Sequence, residues 1–172
     1  MKNPFNFVSI LLKSSSNYNR AQAKYKIRDF KGAIPDYTKA IEINPKFTAA
    51  YLNRGASKKN LQDYHGAIED YTKAIELEFP TSSNMAKAYS NRGMAKCDLK
   101  DYLGAMEDCN KAIEIKPKFA GAYYNRGVLK TDIQDYQGAI EDYNRVLAIN
   151  PNHVDAYKNR RIIRNKLDQK DI

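Results

Sequence analysis

Apolar positions along the chain recur at helical spacing and are punctuated by short polar breaks. Over residues 120–133, Ala122, Leu129 and Ile133 fall at i, i+7 and i+11, one stripe of a 3.6-residue helix. Over 137–149, Ala139, Ile140, Tyr143, Val146 and Leu147 form a second stripe. Between them, Gln134-Asp135-Tyr136 is a polar break in which Asp is placed to cap the second helix. Two helices of about four turns joined by so short a link form an antiparallel pair. The same reading along the chain predicts helices over about 14–28, 31–44, 48–61, 65–78, 84–99, 103–116, 120–133, 137–149 and 154–168. Pro35 falls in the first turn or so of the second helix, where a missing N–H costs little.

The pattern repeats. Asp29-Phe-Lys-Gly-Ala-Ile-Pro-Asp-Tyr-Thr-Lys-Ala-Ile-Glu returns as Asp63-Tyr-His-Gly-Ala-Ile-Glu-Asp-Tyr-Thr-Lys-Ala-Ile-Glu76, then from Asp101 and from Asp135. A second block, Tyr51-Leu-Asn-Arg-Gly55, recurs at Tyr89–Gly93 and Tyr123–Gly127, with decayed copies at Tyr18-Asn-Arg-Ala21 and Tyr157-Lys-Asn-Arg160. From Ala33 to Ala67 is 34 residues, from Ala67 to Ala105 is 38, and from Ala105 to Ala139 is 34. A helix pair cannot bury its apolar face alone, so such copies must stack.

This period and pattern resemble the tetratricopeptide repeat. Tyr51 and Gly55 stand for its leading aromatic and Gly, and Ala67, Tyr71 and Ala74 for its second block, with Pro80 one place late. The resemblance implies an all-α fold: a right-handed superhelical solenoid of four antiparallel helix pairs plus a C-terminal capping helix. It divides the chain into an extension over 1–13, repeats over about 14–47, 48–85, 86–119 and 120–153, a cap over 154–168 and a tail over 169–172. The polar face of the cap would carry Lys158, Arg161, Asn165 and Asp168.

Three departures from the family pattern carry information. Arg replaces the usual Leu before the Gly, at Arg20, Arg54, Arg92 and Arg126, and Lys replaces the usual Tyr after it, at Lys58, Lys96 and Lys130. An Arg on a packing face needs a partner. Asp36, Asp70, Asp108 and Asp142 follow at constant spacing, so Arg54–Asp70, Arg92–Asp108 and Arg126–Asp142 are expected as structural ion pairs, against the alternatives of solvated charges or a ligand site. The third departure is the four-residue insertion within 78–85, where Pro80 stops a helix and Ser83 or Asn84 can cap the next; it reads as a longer loop, a changed stacking angle or a partner contact.

In this family the first helix of each pair lines a concave face. The resemblance places Gly121, Tyr124, Asn125, Val128 and Asp132 there, with Ala49, Leu52, Asn53 and Ala56, and Lys87, Ser90, Asn91 and Met94, in earlier copies. An Asn recurs in every copy, at Asn19, Asn53, Asn91, Asn125 and Asn159. Such a ladder can bond the backbone of an extended peptide, or cap and pack locally. The candidate peptide groove is therefore Leu52, Asn53, Ala56, Lys87, Asn91, Met94, Tyr124, Asn125 and Val128. A carboxylate clamp of the kind one subgroup uses on a chaperone C-terminus would fall on Tyr18, Gln22, Asn53, Lys87 and Asn91. Only Asn53 and Lys87 match it, so no such clamp is expected.

Composition narrows the function classes. With 172 residues, 42% hydrophobic and 28% charged, the chain is expected to be a folded soluble protein of one or two domains. Two cysteines cannot make a disulfide scaffold, and no apolar run is long enough for a membrane span. The net charge of +9 sits at the ends: residues 1–31 carry +6, 158–172 carry +4, and 32–157 carry −1. That distribution argues against nucleic acid as the ligand of the middle. It leaves a nucleic-acid- or acidic-partner-associated role for the basic ends as the alternative to a scaffold or adaptor that binds another protein.

Catalysis has no constellation. His65 and His153 lie in different repeats, no Cys and His share metal-ligand spacing, and Cys109 takes a core place held elsewhere by Tyr37, Tyr71 and Tyr143. No enzyme activity, cofactor or metal is expected; a homo-oligomer stays open. Lys2, the apolar residues of 5–12 and Ala21-Gln-Ala23 resemble a weak signal, which leaves secretion or organelle targeting open. The charges of Lys13 and Arg20 argue for a cytoplasmic protein in which 5–12 cover the edge of the first repeat or fray.

Overall fold

A computed structural model describes the backbone over residues 4–78 and 82–169, and side chains from Leu11 onward. Pro80 and the tail from 170 lie outside the described residues. These form nine α-helices and no strand. The chain divides into two compact units, residues 1–79 and 80–172. The first holds α1 (Pro4–Lys26), α2 (Phe30–Ile43), α3 (Thr48–Asn60) and α4 (Tyr64–Leu77). The second holds α5 (Ser83–Asp98), α6 (Tyr102–Ile115), α7 (Ala120–Asp132), α8 (Tyr136–Ile149) and α9 (Val154–Asp168).

One local device builds all four hairpins. After the first helix the chain passes through a residue in the left-handed region, Arg28, Gln62, Lys100 or Gln134, with φ of 64–67°. That residue turns the backbone into Asp29, Asp63, Asp101 or Asp135, each the N-cap of the second helix. The Asp side chain accepts the backbone N–H three residues on, at 2.9–3.0 Å, from Gly32, Gly66, Gly104 or Gly138. A Cβ at any of these glycines would strike the capping carboxylate, which explains the recurring Asp-x-x-Gly.

The core is made of small residues and large rings. Ala33, Ala40, Ala50, Ala67 and Ala74 in the first unit, and Ala88, Ala105, Ala112, Ala122 and Ala139 in the second, are fully buried and let the helices approach closely. Tyr37, Tyr71 and Tyr143 fill the space left beside them. Gly55 and Gly127 lie under Tyr71 and Tyr143; a Cβ at either would sit 2.9 Å from the ring. Cys109 takes the Tyr place in its hairpin and is buried. Cys97, Ala105 and Leu129 pack together nearby, covered by Tyr102 and Met106.

Three expectations need correction. The first helix starts at Pro4, not near residue 14: no Gly or Pro interrupts the chain between Pro4 and Lys26, and Pro4 occupies the first helical position, where it is tolerated. Leu11 and Leu12 on this extension are exposed, and the side chains of 5–10 lie outside those described. Pro35 sits in the second turn of α2, since that helix opens at Phe30, and so forgoes a bond to the Lys31 carbonyl. The cap of α5 is Ser82, whose hydroxyl accepts the Met85 N–H at 2.9 Å; Ser83 and Asn84 are already helical.

Candidate functional site

The repeated charges resolve into clasps between paired helices. Arg54 donates from Nε and Nη2 to the two oxygens of Asp70 at 2.9 and 2.6 Å. Arg92 does so to Asp108 at 2.8 and 2.8 Å, and Arg126 to Asp142 at 2.9 and 2.7 Å. Arg20 holds Asp36 in the same way. Each Arg of the last three clasps lies over the Tyr three residues before it, at 5.3–5.6 Å. The Asp side chains are 3–6% exposed and Arg54, Arg92 and Arg126 16–21%, so these are inter-helix pairs and neither solvated charges nor groove residues.

The lysines complete the device. Lys58, Lys96 and Lys130 each bond the same Asp at 3.0 Å, and their ammonium groups reach the carbonyl of Gly66, Gly104 or Gly138 at 3.2–3.3 Å. Sequence reasoning registered these lysines only as departures. The signal was their constant four-residue distance from each Arg, which puts both cations on one helix face. In the first hairpin, Arg20 and then burial act in opposite directions on Asp36, and the Arg20 bond prevails, holding the carboxyl well below the usual range.

The asparagine ladder works mainly inside the array. In the first unit, Asn53 donates to the Tyr18 hydroxyl at 2.8 Å, tying α3 to α1; Gln22 donates to the same oxygen at 2.6 Å. In the second unit, Asn125 donates to the Ser90 hydroxyl at 2.9 Å and carbonyl at 3.2 Å, tying α7 to α5. Asn159 of α9 reaches the hydroxyls of Tyr143 and Tyr124 at 3.4 and 3.5 Å. The amino groups of Asn53 and Asn125, expected to face a ligand, are thus engaged by the preceding first helix. Asn91 differs. It is half-buried and bonds no described residue through its side chain.

The remaining groove candidates separate by unit. Leu52 is buried at 7% exposure and Ala56 is half-buried, so the first unit offers little apolar surface there. In the second unit Met94, Tyr124 and Val128 are half-buried and Lys87 is exposed. Val128, Thr131, Asp132 and Ile162 help to line a shallow cavity of about 130 Å³ between α7 and α9. Tyr124 stacks on His153, whose Nδ1 caps α9 by accepting the Ala156 N–H at 3.2 Å.

No cluster of three His, Cys, Asp or Glu side chains able to hold a metal occurs among the described residues. Burial, and for Cys97 next the bond from its thiol to Asp132, pushes both thiols up to about 12, so neither is a nucleophile near neutrality. No helix of the described residues is long and apolar enough to cross a membrane.

Models of the tetratricopeptide repeat match residues 15–47, 48–80, 86–119 and 120–153. The chain belongs to the tetratricopeptide repeat family. Repeats of this family are protein-interaction modules. Among solved structures, this TPR chain resembles MamA with 26% identity, over 88% of this chain and 86% of that one, at a TM-score of 0.70. The first TPR of Spaghetti (RPAP3), bound to the HSP90 peptide SRMEEVD, is 29% identical over 70% of this chain and 93% of that one, at 0.63. The Arabidopsis OM64 TPR domain is 28% identical over 72% and 98%, at 0.66. No curated protein matches the chain.

Proposed function

We propose that this TPR chain is a scaffold or adaptor that holds an extended segment of a partner polypeptide on its first helices, chiefly on α5 and α7. The observation that carries this reading is the state of Asn91. Its neighbours in the ladder spend their amino groups on the preceding helix, whereas the Asn91 amide is left to bond a partner's backbone. Around it, Met94, Tyr124 and Val128 offer half-buried apolar surface to side chains of the segment. Lys87 and Asn125 line the approaches on this unit, Asn125 with its side-chain oxygen; Leu52, Asn53 and Ala56 are the matching first-helix positions of the first unit.

A peptide-bound neighbour of the same fold supports peptide binding as the mode. Capture of a C-terminal carboxylate is disfavoured here: of the five clamp places only Asn53 and Lys87 match, and the Asn53 amino group is committed to Tyr18. The surface carries few charges, so affinity should change little with salt.

The test takes a partner captured by the intact chain and measures its affinity by calorimetry. Asn91→Ala should weaken binding about 3- to 10-fold, the worth of one hydrogen bond, with an unchanged melting temperature. Met94→Ala with Val128→Ala should weaken it further. Unchanged affinity in the triple variant, with intact helicity, would move the binding site off this face.

A further inference from the structure

Three hairpins hold a carboxylate with the same set of side chains on the first helix: Tyr at i, Arg at i+3, Gly at i+4 and Lys at i+7. On α9 these places hold Tyr157, Arg160, Arg161 and Arg164. Arg160 already has the pose of a clasp arginine. Its Nη1 donates to Asn144 Oδ1 at 2.7 Å, as Nη1 of Arg126 donates to Asn110 Oδ1 at 2.7 Å. It lies over Tyr157 at 5.7 Å, as Arg126 lies over Tyr123 at 5.6 Å. In Arg54, Arg92 and Arg126 the Nε–Nη2 edge donates to both oxygens of an Asp. In Arg160 that edge meets no described residue. Tyr157 is 54% exposed, against 9% for Tyr51 in a completed hairpin.

We propose that the Tyr157–Arg160–Arg164 edge of α9 docks an acidic amphipathic helix of a partner protein, with an Asp or Glu of that helix seated as Asp142 is seated against Arg126 and Lys130. Charge complementarity argues for an acidic occupant: Lys158, Arg160, Arg161, Arg164 and Lys166 outnumber Asp155 and Asp168 on this helix. A helical occupant follows from the four internal examples, in each of which the carboxylate arrives on a helix. Val154 and Tyr157 are exposed and give that helix apolar surface to cover. Arg161 adds a restriction. It stands where Gly127 lies under the Tyr143 ring, a place where even a Cβ would come within 2.9 Å of the aromatic carbons. The docked helix must therefore carry a residue smaller than Tyr directly after its carboxylate and stand a few tenths of an ångström further out, since even beside Cys109 a Cβ at Gly93 would meet the Ala105 carbonyl oxygen at 3.0 Å and the thiol at 3.1 Å. This surface is separate from the α5–α7 face and stands or falls independently of it.

The probe is a lactam-stapled, labelled peptide of residues 101–115 with Cys109→Ala, titrated against the full chain by fluorescence anisotropy. The staple removes the cost of helix formation, so absence of binding counts against the proposal. Saturable binding should weaken about tenfold with Asp108→Asn in the peptide, and equally with Arg160→Gln in the chain. Arg164→Gln should have a smaller effect. A peptide with Tyr at the position after the Asp should bind poorly to the native chain and recover on Arg161→Gly. Equal binding of Asp and Asn peptides, or an unaffected Arg160→Gln chain of native melting temperature, overturns the proposal. So does an edge that ignores the peptide but binds phosphatidylserine vesicles or a single-stranded RNA through Arg160, or a dimer of the chain that Arg160→Gln dissociates.

Discussion

Removing Asp142 should destabilise the second unit more than removing either of its cations. The carboxylate is 3% exposed and accepts three charge-assisted bonds, two from Arg126 and one from Lys130. Asp142→Ala leaves both cations without a counter-charge. Breaking a buried pair from one side costs about 3–5 kcal/mol. Arg126 and Lys130 keep 21% and 16% of their side-chain surface in water, and they regain some hydration by swinging outward. The expected loss is therefore about 2–4 kcal/mol. Arg126→Met leaves Lys130 on the carboxylate and should cost about 1–2 kcal/mol, and Lys130→Met less. Glu141→Ala, at an exposed place on the same helix, is the control and should be near neutral. The assay is urea unfolding followed by circular dichroism, fitted with a nearest-neighbour repeat model because stacked repeats do not always melt in one step. In the Arg126→Met background, Asp142→Ala should cost clearly less than it does alone. An Asp142→Ala effect indistinguishable from Glu141→Ala would refute the view that the clasp holds the hairpin together.

Gly127→Ala should destabilise by about 1–3 kcal/mol, since the new methyl meets the rigid Tyr143 ring at 2.9 Å; adding Tyr143→Leu should recover part of the loss in the same urea assay, and no recovery would place the strain elsewhere. Acid stability should respond to Asp36: its folded carboxyl titrates below its unfolded range, so the unfolded chain binds more protons as pH falls below about 4. The stabilisation is present above that pH and is lost progressively below it, and the difference in urea midpoint between native and Asp36→Asn chains should shrink from pH 6 to pH 2; a constant difference would contradict it.

The helical hairpins were legible because their signals are local. Asp-x-x-Gly marks each second helix, and the Arg–Asp spacing of 16 residues is the same in every copy, so one pairing implies the others. The start of α1 was not legible: its extension lies outside the repeat pattern, and the absence of a helix breaker after Pro4 is a weaker sign than a cap. The asparagine ladder left two readings open for a different reason. Its partners Tyr18, Ser90 and Tyr124 lie 35 residues earlier, on the neighbouring first helix, and single-helix periodicity cannot distinguish a face turned to a ligand from one turned to the previous repeat. Asn91 became distinctive only when those bonds could be assigned one by one.

The short reach of these bonds bears on how the chain assembles as it is made. Each clasp closes across 12–16 residues, and the links between first helices within a unit reach back 35. At about 5–20 residues per second, a 34-residue hairpin takes seconds to leave the ribosome. Helical structures with such local contacts form in about a millisecond or less. A helix pair does not bury its apolar face alone, so within each unit the second hairpin has time to settle on the first, and the two close together, before much further chain has been made. Assembly follows the direction of translation, paced by synthesis rather than by a conformational search.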